Sequence, residues 1–176
     1  MHWQTLKKEA TLKPYKQALM SAKAAEEATL SAKELQTLVN DTLGAQLASG
    51  LRLHTADSRY CLPSYAGAEA IIAQSELAQL AKPSGRVKRG ESFDCDDFAL
   101  LLKARFAYAA YREPDNYQNC PCCFGIVWGM LPFPFPHSMN WMVTDDRRFY
   151  FIEPQREEII PLEACRNYRY INFMMV

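Results

Sequence analysis

The sequence predicts an α+β fold, in which helices come first and a mainly antiparallel sheet follows, and three observations carry that expectation. Residues 4 to 48 hold one proline, Pro14, and one late glycine, Gly44, among Ala, Leu, Lys, Glu and Gln, which is helix-forming composition. Apolar runs of strand type come later, in Phe124–Met130, Trp141–Val143 and Phe149–Ile152. No internal repeat interrupts this order, so the helices and strands segregate along the chain instead of alternating.

Along the first segment, Leu35, Leu38, Val39, Leu43 and Leu47 recur at the spacing of one helical face, so a helix is expected from Pro14 to Ala48. We assign residues 1–48 to an N-terminal helical extension, expected to pack on its own domain with oligomerisation as the alternative, and residues 49–176 to the α+β domain. Leu51 to Gly67 reads as loop with a short strand. Ala68 to Leu80 reads as a short helix ended by Pro83-Ser84-Gly85. A third helix follows at Phe98–Tyr111. Prolines at 132, 134 and 136 favour an extended loop. Thr144-Asp145-Asp146-Arg147-Arg148 reads as the turn of a hairpin, and a last strand is expected within Tyr168–Val176.

With 176 residues, 49% of them hydrophobic, the chain suffices for one domain with a real core. Twenty Lys plus Arg balance twenty Asp plus Glu, so nothing marks a nucleic-acid surface. The basic run Arg86 to Arg89 reads as a solvated loop. The start carries no apolar leader and no run is long enough to span a bilayer, so no membrane partner and a cytoplasmic location are expected, with virion association as a second setting.

Six cysteines, at 61, 95, 120, 122, 123 and 165, show no regular spacing, and without a secretory leader reduced thiols are the expectation. Cys120-Pro121-Cys122-Cys123, with Cys61 or Cys165, forms a candidate zinc set of non-standard spacing.

Of three histidines, His2 and His54 lack a partner motif, whereas His137 stands at the mouth of a strand. Asp94-Cys95-Asp96-Asp97 places a cysteine in the first turn of a helix, with Asp94 as N-cap and Asp97 as the reciprocal capping carboxylate. The helix dipole favours a thiolate there, while the neighbouring aspartates oppose one. If the hairpin turn centres on Asp145, His137 lies opposite Glu153; if it centres on Asp146, it lies opposite Gln155. Either partner would orient the imidazole. Cysteine at a helix start, histidine on a strand and an orienting group on the next strand make up the papain-like arrangement.

Cys95-Asp96-Asp97-Phe98-Ala99, His137 with Asn140-Trp141, and Ile152-Glu153-Pro154-Gln155 resemble, from about Tyr60 to Leu162, the papain-like cysteine protease domain at the C-terminus of fungal agglutinins. Related uncharacterised bacterial and phage proteins share it. The resemblance implies a papain-like fold and a peptidase in which Cys95 is nucleophile, His137 general base and Glu153 orienter, acting on a peptide or protein through an acyl-thioester. It also implies calcium, with Asp96 and Asp97 as ligands. No other cofactor is required. Gln155 and Asn140 are further orienting or oxyanion candidates. The sequence departs from the pattern in lacking a glutamine just before Cys95, leaving Gln74, Gln79 or the Cys95 N–H as oxyanion donors. The sugar-binding domain that accompanies this family is also missing, so lectin activity is not carried over. The alternative reading is a catalytically inactive binding or phage-associated structural protein on the same fold, or an acyl or amide transferase of transglutaminase type.

Overall fold

The computed structural model describes residues 28–44, 47, 51–82, 93–113, 120–130, 135–165 and 169–176. The elements begin with β1 (Thr29–Ser31), α1 (Ala32–Leu43) and β2 (Arg59–Cys61), followed by α2 (Tyr65–Ala73), α3 (Leu77–Ala81) and α4 (Cys95–Arg112). Then come β3 (Phe124–Met130), β4 (Pro136–Val143), β5 (Phe149–Glu153), β6 (Glu158–Pro161), a 3-10 turn (Leu162–Ala164) and β7 (Arg169–Met175). Helix and antiparallel sheet are thus combined as the α+β reading requires.

The main sheet has the order β6-β5-β4-β3-β7, with every pairing antiparallel. Its central strands are buried on both faces, which is why they read as unbroken apolar runs. Alternation sends Met139, Trp141, Val143, Phe149 and Phe151 into one core, closed by Leu35, Val39 and Leu43 of α1. Phe124, Met142, Tyr150 and Ile152 enter the other core, against Ile71 and Ile72 of α2 and Phe98, Leu102 and Phe106 of α4. Phe106 stacks on Phe124 with ring centroids 3.6 Å apart. Residues 28–44 therefore share a core with the sheet.

Gly125 is required by close approach: a Cβ there would overlap the Met175 carbonyl and the Trp141 indole. That space lets Trp141 Nε1 donate to Ile126 O at 3.2 Å and Met175 O at 3.1 Å, fastening three strands through one buried ring.

Several expectations are corrected. The long helix from Pro14 is broken: Thr29–Ser31 pairs with Arg59–Cys61, and the helix starts at Ala32, where Ser31 and Glu34 form a capping box. Its part before residue 28 lies outside the described residues, as do His2 and the basic loop at 86–89. The helix expected over Ala68–Leu80 is two, because Glu76 adopts a left-handed φ of 56° between them. Pro136 opens β4, a position where a missing N–H costs no ladder bond. The edge strand β6 was not expected; a turn with Glu157 at φ 55° reverses the chain into it.

The cysteines are not all reduced. Cys61 and Cys120 form a disulfide, supported by Cys61 N–H donating to Pro121 O and Cys123 N–H donating to Cys61 O. This removes Cys61 and Cys120 from the zinc set. Cys122 and Cys123 are buried thiols packed in opposite cores, and Cys165 joins the α1 side. Burial pushes the Cys123 thiol up to about 12 and Cys165 up to about 11.

Candidate functional site

The site is assembled by the start of α4 and the start of β4. At the first, the Asp94 carboxylate accepts from Asp96 N at 3.3 Å, while Asp97 Oδ2 accepts from Asp94 N at 3.1 Å. This capping box fixes Cys95 as the first helical residue and leaves it half-buried. The Ser138 backbone N–H faces the Cys95 sulfur, which brings the cysteine against β4 one residue beyond His137.

His137 and Glu153 are both buried, and His137 Nε2 lies 2.6 Å from Glu153 Oε2. The second Glu153 oxygen accepts Gln155 N at 3.0 Å. The ladder pairs Asn140 with Ile152, so the hairpin centres on Asp146 and its continuation sets His137 opposite Gln155. Glu153 nevertheless is the residue that meets the imidazole, reaching it on the diagonal.

Asn140 has a different place from the one expected. Its Nδ2 donates to Ala99 O at 2.9 Å and Gly125 O at 3.0 Å, so it joins α4 to β3 within the core. Gln155 contributes a backbone N–H to Glu153, and Gln74 and Gln79 are exposed. Ser138, absent from the expected set, is buried with no partner for its hydroxyl among the described residues, next to Cys95. Only its position beside His137 could have marked it in the sequence.

The Cys95 thiol is pushed above its ordinary range, first by burial and then by Asp94 and Asp96; the Ser138 N–H opposes this only in part. Asp96 is also raised, chiefly by its hydrogen bond with the Asp94 carboxyl and then by burial.

Among the described residues, one group brings ligand atoms close enough for a cation: Asp94, Cys95 and Asp96, within 4.8 Å of one another. Asp97, expected as a calcium ligand with Asp96, is outside this group and holds the helix cap. Calcium takes six to eight oxygens, of which the Asp94 and Asp96 carboxylates are the ones this group would offer. Among the described residues, no helix is long and apolar enough to cross a membrane.

Known proteins add three findings. The agglutinin C-terminal family pattern matches residues 60–159. No curated protein matches the chain. Among solved structures, the PSL1a-E64 complex is similar at 20% identity with a TM-score of 0.67, over 85% of this chain and 50% of that one. A Polyporus squamosus lectin bound to the human-type influenza-binding epitope Neu5Acα2-6Galβ1-4GlcNAc is similar at 20% identity with a TM-score of 0.64, over the same shares. The chain thus spans half the length of both proteins, and at that identity the likeness shows the fold.

These findings correct the expectation of a cysteine-dependent hydrolase, and with it the hydrolase and thiol-protease assignments. The family is one of agglutinins and a similar structure is a lectin. The binding alternative fits better. Because the matched stretch, residues 60–159, is more than half of its 176 residues, the chain belongs to the agglutinin C-terminal family.

Proposed function

We propose that this chain is a glycan-binding domain, in which a papain-like arrangement of helix and sheet serves recognition without hydrolysis. One observation carries the reading: the buried His137–Glu153 hydrogen bond of 2.6 Å stands beside Ser138, whose N–H faces a Cys95 thiol pushed up by burial and by Asp94 and Asp96. The pair is held by burial and by Gln155 N–H on the second carboxylate oxygen, so it fixes the geometry of the polar groups around it, which suits a hydroxyl-rich ligand. Phe135 adds an exposed ring whose centroid is 6.5 Å from that of His137. An aromatic face next to oriented polar groups suits the alternating C–H and O–H surface of a sugar. The epitope in the similar lectin structure supplies the first ligand to try.

The experiment is calorimetric titration of wild type and Cys95→Ala with Neu5Acα2-6Galβ1-4GlcNAc, beside a general peptide substrate. The reading expects equal saccharide affinity for the two proteins and no peptide cleavage by either. Absence of saccharide binding, or cleavage that disappears in Cys95→Ala, would overturn it.

A further inference from the structure

Three cysteines lie on one side of one short strand pairing. Cys61 N–H donates to Pro121 O at 2.8 Å and Cys123 N–H donates to Cys61 O at 2.7 Å, which sets Cys61 directly opposite Cys122 in a parallel bridge. Residues two apart in an extended chain face the same way, so Cys120 and Cys122 share the side of Cys61, and Cys123 points away. The cores agree: Cys61, Cys120 and Cys122 pack together on the α4 side, whereas Cys123 packs on the α1 side.

Cys61 thus has two neighbours that meet the geometric demand of a disulfide. Its bond is to Cys120, at a Cα–Cα distance of 5.8 Å. Directly opposed residues of adjacent strands are about 4.8 Å apart, and disulfides form over Cα separations of roughly 4.4–6.8 Å. Moving the bond from Cys120 to Cys122 leaves the closed loop almost the same length, so chain entropy does not choose between the two pairings. The strands are already in register for either.

The free thiol of the set is Cys122, at 2% exposure. Burial pushes it well up, and such a thiol attacks a disulfide only after a base has taken its proton. Lys103 of α4, half-buried, is the basic side chain whose field acts on it. Burial holds the Lys103 ammonium below the usual lysine range, although Cys122, Cys123 and Asp57 oppose that shift. Its amine is therefore readier than an exposed lysine to accept a proton.

We propose that Cys61, Cys120 and Cys122 form a thiol–disulfide exchange site, in which the bond moves between Cys61–Cys120 and Cys61–Cys122. In the exchange Cys122 gives its proton to the neutral Lys103 amine and its sulfur bonds Cys61 Sγ as the Cys61–Cys120 bond breaks. The Cys120 sulfur leaves with the electron pair and takes the proton back. One thiol and one disulfide stand on each side, so no oxidant or reductant enters. The observed state hides the free thiol at Cys122, and the exchanged state moves it to Cys120, at the outer end of the Cys120–Cys123 run, where an electrophile can capture it. This switch is independent of what the Cys95 site binds.

The test uses the full chain, purified without reductant. Thiols counted in denaturant should number three in Cys122→Ser and three in Cys120→Ser, because Cys61 pairs with whichever partner remains; five in Cys120→Ser would overturn the proposal. A second measurement leaves all three cysteines in place. Cys95→Ser, which lacks the half-buried thiol, is held for hours under native conditions with an alkylating agent, and fragmentation mass spectrometry locates the label. Label on Cys120 with Cys61 bonded to Cys122 is expected. Label on Cys122 with the Cys61–Cys120 bond intact would show opening without exchange and would overturn the proposal, as would no label on either. Lys103→Met should slow labelling of Cys120 by about tenfold or more, and an unchanged rate would overturn the role given to Lys103.

Discussion

Glu153 meets His137 on a diagonal of the β4–β5 ladder: the register pairs Asn140 with Ile152, yet the carboxylate and imidazole are 2.6 Å apart. Both carboxylate oxygens are used, one by the ring and one by Gln155 N–H. Truncating Glu153 therefore strands a buried imidazole and a backbone donor together. Glu153→Ala is expected to lower stability by about 1–3 kcal/mol. Urea unfolding at neutral pH checks this, and an unshifted midpoint would mean that the pair is not formed in solution.

Asn140 offers a sharper case. Its amide donates to Ala99 O and Gly125 O, so a carboxylate in its place would face two carbonyl oxygens inside the core. Asn140→Asp is expected to cost about 3–5 kcal/mol at neutral pH, as an unpaired buried charge does. Part of that loss should return on acidification, when the new carboxyl is neutralised. Comparing unfolding midpoints at pH 7 and pH 4 tests both statements.

The disulfide gives a thiol count that needs no structure determination. Without reductant, one thiol should react in the folded protein, Cys95, and four in denaturant, since Cys122, Cys123 and Cys165 are buried. Six in denaturant would exclude the Cys61–Cys120 bond. The bond closes a separation of 59 residues, for which loop entropy gives a stabilisation of about 4 kcal/mol. The double variant Cys61→Ser with Cys120→Ser should melt correspondingly lower.

Alkaline pH should unfold the protein through its buried thiols. Cys123 titrates near 9 when exposed and at about 12 when folded, and Cys165 is raised to about 11. Their contribution is whole below pH 9, because the thiol form is the one the fold accommodates, and it is lost as pH climbs from 9 through the folded values. The decline with pH should be shallower in Cys123→Ala, whatever that variant's stability at pH 7. An equal slope would contradict the assignment.

Much of this was legible in the sequence. Strand β3 has the bounds that its apolar run suggested, and Asp94 with Asp97 form the capping box that their spacing suggested, because both signals are local. Hairpin symmetry brought His137 to the neighbourhood of residues 153 to 155, but the observed register sets it opposite Gln155, and the Glu153 contact is a diagonal one that symmetry did not give. What escaped was non-local. Cys61 finds Cys120 only after β2 has been laid alongside the start of β3, and Thr29–Ser31 leaves the helical pattern only because Arg59–Cys61 pairs with it. Asn140 sat in a suggestive motif, yet its amide was drawn into the core by two carbonyls that no spacing reveals. Residue types alone also pointed from Cys95 and His137 to hydrolysis. Burial and two aspartates decide the state of that thiol, and both depend on the assembled fold.

The central proposal is that the site around Cys95 binds and does not hydrolyse, and the measurement nearest to it is the Cys95 thiol pKa from the pH dependence of alkylation. The account predicts slow alkylation at pH 7 that rises only as pH passes the ordinary thiol range, with the midpoint brought down in Asp94→Asn. Fast, pH-independent labelling from pH 6 upward would show an ionised thiol at neutral pH and would contradict it.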